Sequence, residues 1–194
     1  MRLPSPQRSS EAGFTLVELL VYISLLGVVL TIVGGILISS TSAEKSVRGI
    51  AEATDVAQLV SLSVEKGVRN SVALKLTSTD AMQFFAVKTP GAQTSVAWSC
   101  QAWYYIEADD ALYTTTSSAR LDPPATVAQR VTWMLLGTGV RPASAARIFT
   151  EAGATGVDLA FQVDAGDTDP VSIQTTVFSR GVPPDPATSA LACF

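Results

Sequence analysis

One carboxylate, Glu18, lies inside a run that is otherwise apolar or small and neutral from Phe14 to Ile38. About 20 apolar helical residues cross a hydrocarbon core of roughly 30 Å, so the run is long enough to span a bilayer. A charge near the start of such a segment is costly in lipid and calls for a partner. The chemistry Glu18 invites is ion pairing. Three other acids, Asp164, Asp167 and Asp169, share one loop and offer oxygens of the kind Ca²⁺ prefers; a plain charged hairpin loop is the alternative. Asp109 and Asp110 are adjacent in a turn, where solvated acids are the ordinary reading and a catalytic pair the unusual one.

Histidine is absent, which excludes chemistry needing imidazole as a base, proton shuttle or metal ligand. No GxSxG, Walker, GxGxxG or HExxH motif occurs, and the chain is read as a non-enzyme without a required cofactor. Cys100 and Cys193 lie far apart, with no CxxC spacing. In an oxidising compartment such a pair can close as a disulfide, and two buried free thiols are the alternative. A loop that long would contribute roughly 3 to 5 kcal/mol if closed.

Residues 1–13 form a polar leader, MRLPSPQRSSEAG. Arg2, Arg8 and the initiating amine place it on the cytoplasmic side by the positive-inside rule, with the C-terminal bulk exported. A secretory signal has a shorter apolar core followed by a small-residue cleavage site. Here the run is about twice as long, and the small residue, Gly13, precedes it.

Gly13-Phe14-Thr15-Leu16-Val17-Glu18-Leu19-Leu20 resembles the processing and methylation motif of type IV prepilins and type II secretion pseudopilins. The resemblance implies cleavage after Gly13 by a prepilin peptidase and methylation of the new amine on Phe14. It also implies that Glu18 pairs with the N-terminal amine of a neighbouring subunit during assembly. Physically, an amine at Phe14 is a cation at the edge of the apolar layer, one helical turn from Glu18. Leaving either charge uncompensated in a low-dielectric site costs about 3 to 5 kcal/mol, so the contact would reward correct axial register. A signal anchor whose Glu18 snorkels to the headgroups is the competing account. Many members of that family carry a proline near Gly35; Gly34 and Gly35 stand here instead, as a flexible joint or as small residues for close helix packing.

The elements that must position these groups follow from periodicity. Residues 14–38 form the membrane or filament-core part of one helix, and residues 39–70 its amphipathic second part. Val56, Val60, Val64 and Val68 recur every four residues and, with Ala53 and Ala57, make one apolar stripe. Glu44 with Arg48 and Glu65 with Arg69 are acid-first pairs that support an exposed helix face. Beyond Asn70 the period changes to two. Strands are expected at Ser71–Thr77, Met82–Lys88, Val96–Glu107 and Ala111–Thr116, then an apolar run from Arg130 to Leu136 and a loop from Gly137 to Ala146. Val157, Leu159, Phe161 and Val163 on one strand, and Val171, Ile173, Thr175 and Val177 on the next, predict a hairpin around the acidic loop.

The expected fold is therefore α+β: a pilin fold with a long N-terminal helix packed on an antiparallel β-rich head, residues 71–194. The implied function is that of a minor pilin or pseudopilin in a type IV pilus or type II secretion-like filament. Its partners would be other pilin or pseudopilin subunits, the prepilin peptidase and the membrane. DNA is a further candidate partner through Arg120, Arg130, Arg141 and Arg147, which would grip phosphates without reading bases. A membrane-anchored extracytoplasmic binding protein that does not polymerise is the alternative from another class.

Overall fold

The computed structural model describes residues 15–79, 81–90, 98–143, 147–181 and 193–194. The leader, Gly13 and Phe14 lie outside the described residues, as does the Pro183–Pro186 stretch. Helix α1, Leu16–Arg69, is unbroken through Gly34 and Gly35. The chain divides into two compact units, Met1–Lys45 and Ser46–Phe194. The second takes in the amphipathic part of α1 as well as every strand.

The strands form two antiparallel sheets. In the first, β1 (Ala73–Ser78), β2 (Met82–Pro90), β3 (Trp98–Ile106), β4 (Ala111–Ser117) and β5 (Met134–Thr138) lie in sequence order. In the second, β6 (Val140–Pro142) and β7 (Phe149–Glu151) pair with opposite ends of β8 (Gly156–Val163), and β9 (Val171–Phe178) pairs with β8 along its length. The β8–β9 register sets Val157 opposite Val177, Leu159 opposite Thr175, Phe161 opposite Ile173 and Val163 opposite Val171, which is the predicted hairpin.

Three sequence expectations are corrected. The loop expected from Gly137 is in part strand: Gly137 and Thr138 finish β5, and Val140–Pro142 form β6, while residues 144–146 lie outside the described residues. The run from Arg130 to Leu136 is not one element, because Arg130 ends the single-turn helix α2, Val127–Arg130, and the strand begins at Met134. The first strand starts at Ala73 and not at Ser71, because Ser71 is used in closing the helix. There the Ser71 N–H donates to the Val68 carbonyl at 3.0 Å, and the Arg180 N–H donates to the Arg69 carbonyl at 3.2 Å. These bonds satisfy carbonyls that every helix C-terminus leaves open.

Both sheets share one core with α1. Ala53, Ala57, Val60, Val64 and Val68 are buried against Phe85, Val87, Trp103, Tyr105 and Leu112 of the first sheet and Phe149, Leu159, Phe161 and Val163 of the second. Fully burying each valine is worth about 1.5 to 3 kcal/mol. Two glycines allow the close approach. A Cβ on Gly67 would enter the ring of Trp103, and one on Gly137 would enter the side chain of Val56. Trp103 is pinned there by its Nε1–H, which donates to Ser63 Oγ at 2.9 Å. Gln83, also buried, joins the sheets: its Oε1 accepts the N–H groups of Ile148 and Phe149, both at 2.9 Å.

The face of β3 that carries Cys100, Ala102, Tyr104 and Ile106 turns away from α1. It is covered as well, because Phe84, Ala86, Ala102 and Tyr104 form a second cluster under Leu121, Trp133 and Phe194. Cys100 and Cys193 are bonded, with Cα atoms 5.5 Å apart. The Leu121 N–H donates to the Cys193 carbonyl at 3.0 Å, so the disulfide and this bond together hold the cover.

Gln83→Leu is expected to lower stability by about 3 kcal/mol or more, since two buried N–H groups lose the acceptor that Gln83 gives them; urea denaturation of the detergent-solubilised chain measures it. Replacing both cysteines by alanine should cost about 3 to 5 kcal/mol through the freed 93-residue separation. The same variant should show Trp133 fluorescence shifted toward that of a solvated indole.

Candidate functional site

The N-terminal turn of α1 is built by Thr15. Its carbonyl accepts the Leu19 N–H at 3.2 Å, and its Oγ1 accepts the Glu18 N–H at 3.3 Å. Thr15-Leu16-Val17-Glu18 thus has the threonine-to-glutamate spacing of a capping box, a signal present in the sequence that the reading above did not use. Glu18 sits in the first turn, where the helix dipole favours an anion. One turn on, the Tyr22 hydroxyl donates to Glu18 Oε1 at 3.5 Å, the long limit of such a bond. Thr15 thus holds the Glu18 backbone and Tyr22 meets its carboxylate, which remains on the surface. No sequence argument had singled out Tyr22; its offset of four residues is the signal that could have done so.

Around Glu18 the helix is a continuous apolar surface. An 18-residue stretch, long and apolar enough to cross a membrane, has no buried residue in the chain itself. Leu16 is 76% exposed and Ile38 70%. The exposure continues into the second half of α1, where Val47, Leu59 and Leu62 face outward while the valine stripe is buried. Added Cβ atoms at Gly27, Gly34 and Gly35 would meet nothing within 4 Å. Glu65 and Arg69 pair at 3.1 Å, as their spacing predicts.

The three candidate calcium ligands, Asp164, Asp167 and Asp169, lie between β8 and β9. Asp164 Oδ1 accepts the Gly166 N–H at 2.8 Å and so closes its own turn. Asp167 and Asp169 do not converge on it, and among the described residues no group of three acids, cysteines or histidines is placed to hold a metal ion.

The arginines are drawn into ion pairs. Arg120 meets Asp122 at 3.1 Å, Arg130 meets Asp109 at 2.5 Å and Arg141 meets Asp110 at 2.7 Å. Three of the four candidate phosphate ligands thus carry an acid, and Asp109 and Asp110 serve structure. Asp110 adopts a left-handed conformation (φ 46°), and its carbonyl accepts the Val140 N–H at 2.8 Å, which ties the β3–β4 turn to β6. The hydrogen bond and charge of Asp110 raise the Arg141 pKa. A groove of about 590 Å³ opens beside the last turns of α1, edged by Lys66, Asn70 and Gln101; its lining holds no carboxylate or thiol.

Two phenols flank this turn. Burial raises the pKa of Tyr104, against the opposing charge of Arg130, and burial with the charges of Asp110 and Glu107 raises that of Tyr105. A group with a raised folded pKa stabilises the fold fully below its unfolded pKa and loses that contribution as pH climbs toward the folded value. Stability should therefore decline above pH of about 10, the ordinary tyrosine value. An ultraviolet phenolate titration run beside circular dichroism should show these two phenols ionising late and together with unfolding.

Residues 8–34 match the family model described as the prokaryotic N-terminal methylation motif. No curated protein and no solved structure matches the chain. The motif, at the head of a long helix followed by antiparallel sheets in an α+β pilin-like architecture, supports a type IV pilin-like protein. That motif family is structural rather than catalytic. Proteins with the motif typically assemble with other pilin subunits and are processed by prepilin peptidase. The motif and the apolar helix together point to membrane anchoring near the N-terminus.

Proposed function

We propose that this chain is a structural subunit, a minor pilin or pseudopilin, of a type IV pilus or type II secretion-like filament. The methylation motif on residues 8–34 carries the reading. Cleavage after Gly13 and methylation of Phe14 create the mature N-terminus. Before assembly the chain is held in the membrane by α1 with its head on the extracytoplasmic side. During assembly α1 exchanges lipid for neighbouring helices. The outward-facing Val47, Leu59 and Leu62 support this exchange, since they extend the unpartnered apolar surface beyond the membrane segment.

Glu18 supplies the register of that exchange. A carboxylate that stays on the surface, met within the helix by the Tyr22 hydroxyl, is available to the amine of a neighbour displaced along the filament, whereas any other axial position leaves it facing hydrocarbon. Gly34 and Gly35 give α1 a locally weaker helix, each about 1 kcal/mol less favourable than alanine, where it can loosen on assembly.

Mass spectrometry of the mature chain should find N-methylated phenylalanine at Phe14. Glu18→Gln should leave that processing intact and reduce recovery of the subunit in sheared filaments by at least tenfold, the equivalent of about 1.4 kcal/mol. An unprocessed leader in cells that contain the peptidase would favour a plain membrane anchor, and normal filament entry by the glutamine variant would remove the pairing role.

A further inference from the structure

We infer that β9 is a docking strand and that its occupant is β9 of a second copy of this chain, paired antiparallel about a two-fold axis through Thr175. The β8–β9 ladder uses one side of β9 along all eight residues, and among the described residues no strand pairs with the other side. An unpaired strand edge presents a row of N–H and C=O groups whose natural complement is another extended strand. The other long edge is guarded: β1 carries Lys75 on its exposed surface, and charge on an edge deters such pairing. β5 is shorter, contains Gly137 and is offset by a register shift in its pairing with β4. β9, Val-Ser-Ile-Gln-Thr-Thr-Val-Phe, has no charge, proline or glycine, and Phe178 at its end is 55% exposed. None of the usual devices that protect an edge is present on it.

The choice of occupant follows from symmetry and charge. In an antiparallel pair directly opposed residues share a face of the sheet, so a two-fold register must centre on a residue and not between two. Centred on Thr175, it sets Ile173 against Val177 of the other copy and Gln174 against Thr176, giving β-branched pairs on the core side and polar pairs outside. The strand itself contributes no like-charge repulsion. At its ends the charges are opposite. Asp167 and Asp169 precede the strand and Arg180 follows it; all three are exposed, and among the described residues none is in an ion pair. Antiparallel pairing brings the Arg180 end of one copy beside the Asp167–Asp169 end of the other, twice by symmetry. A parallel pairing would set like against like. This inference does not depend on filament assembly, since it concerns only the head.

The test uses the full chain in a mild detergent. Light scattering behind size exclusion should give a dimer, and Thr175→Cys under mild oxidation should yield a covalent dimer, whereas Thr150→Cys on β7 should not. Arg180→Asp should weaken dimerisation by about tenfold by turning two exposed attractions into repulsions. Combining it with Asp169→Arg should restore it. Thr150, Asp169 and Arg180 are exposed and Thr175 is half-buried, and an unchanged circular dichroism spectrum verifies folding of each variant. A monomer at all concentrations, a dimer indifferent to the charge reversal, or equal crosslinking from residues 150 and 175 would each overturn the proposal. Dimerisation through the apolar part of α1 alone would appear as the second of these outcomes.

Discussion

The head is organised by one packed seam, the Ala53–Val68 stripe of α1. Ala53, Ala57, Val60, Val64 and Val68 lie at offsets of three and four, so they form a single ridge. Both sheets close on that ridge, and neither could bury its inner face without it. Small and β-branched side chains let the backbones come near, and the missing side chains at Gly67 and Gly137 remove the last obstacles. Enlarging either glycine would force Trp103 or Val56 aside and disturb the sheets and helix together. Ser63 and Gln83 then fix positions that apolar contact leaves free, because hydrogen bonds have direction where burial has only area.

The same helix presents opposite solutions along its length. Within the head one face is buried and the other solvated, except where Val47, Leu59 and Leu62 leave apolar patches outward. Toward the N-terminus no face is buried by the chain itself. A helix apolar on all sides is stable only in lipid or among other such helices. The fold thus separates two problems: the second half of α1 is answered by the sheets, and the first half by surroundings supplied from outside the chain. Glu18, whose carboxylate meets Tyr22, belongs to the second problem.

What was legible in the sequence depended on the length and regularity of each pattern. The valine stripe and the β8–β9 hairpin repeat their signal four times or more, and both appear in the structure, with Val56 partly buried at the edge of the stripe. Strands β6 and β7 have three residues each, too few for alternation to show, and β6 ends in Pro142. The one-turn helix α2 is shorter than any periodic window. The cover over the far side of the first sheet was hidden for another reason: Trp133 and Phe194 come from distant parts of the chain and leave no local trace. At the candidate sites, residue type alone suggested too much. Asp164 is consumed by its own turn, Arg120 pairs with Asp122 two residues on, and Arg130 and Arg141 are neutralised by Asp109 and Asp110, too distant in sequence for spacing to reveal. The capping role of Thr15, by contrast, is visible as a threonine three residues before Glu18, beside the more conspicuous chemistry of that glutamate.

The valine seam also has a mechanical meaning. Its contacts are strung along the axis of α1, so a pull on the helix parallel to that axis loads all of them at once, in shear. The same force applied across the helix would peel them one turn at a time. The backbone bonds from Ser71 and Arg180 close the far end of the seam, where a longitudinal pull would otherwise begin to fray the helix. The joint between helix and sheets is therefore strongest in the direction in which a long helix can transmit tension.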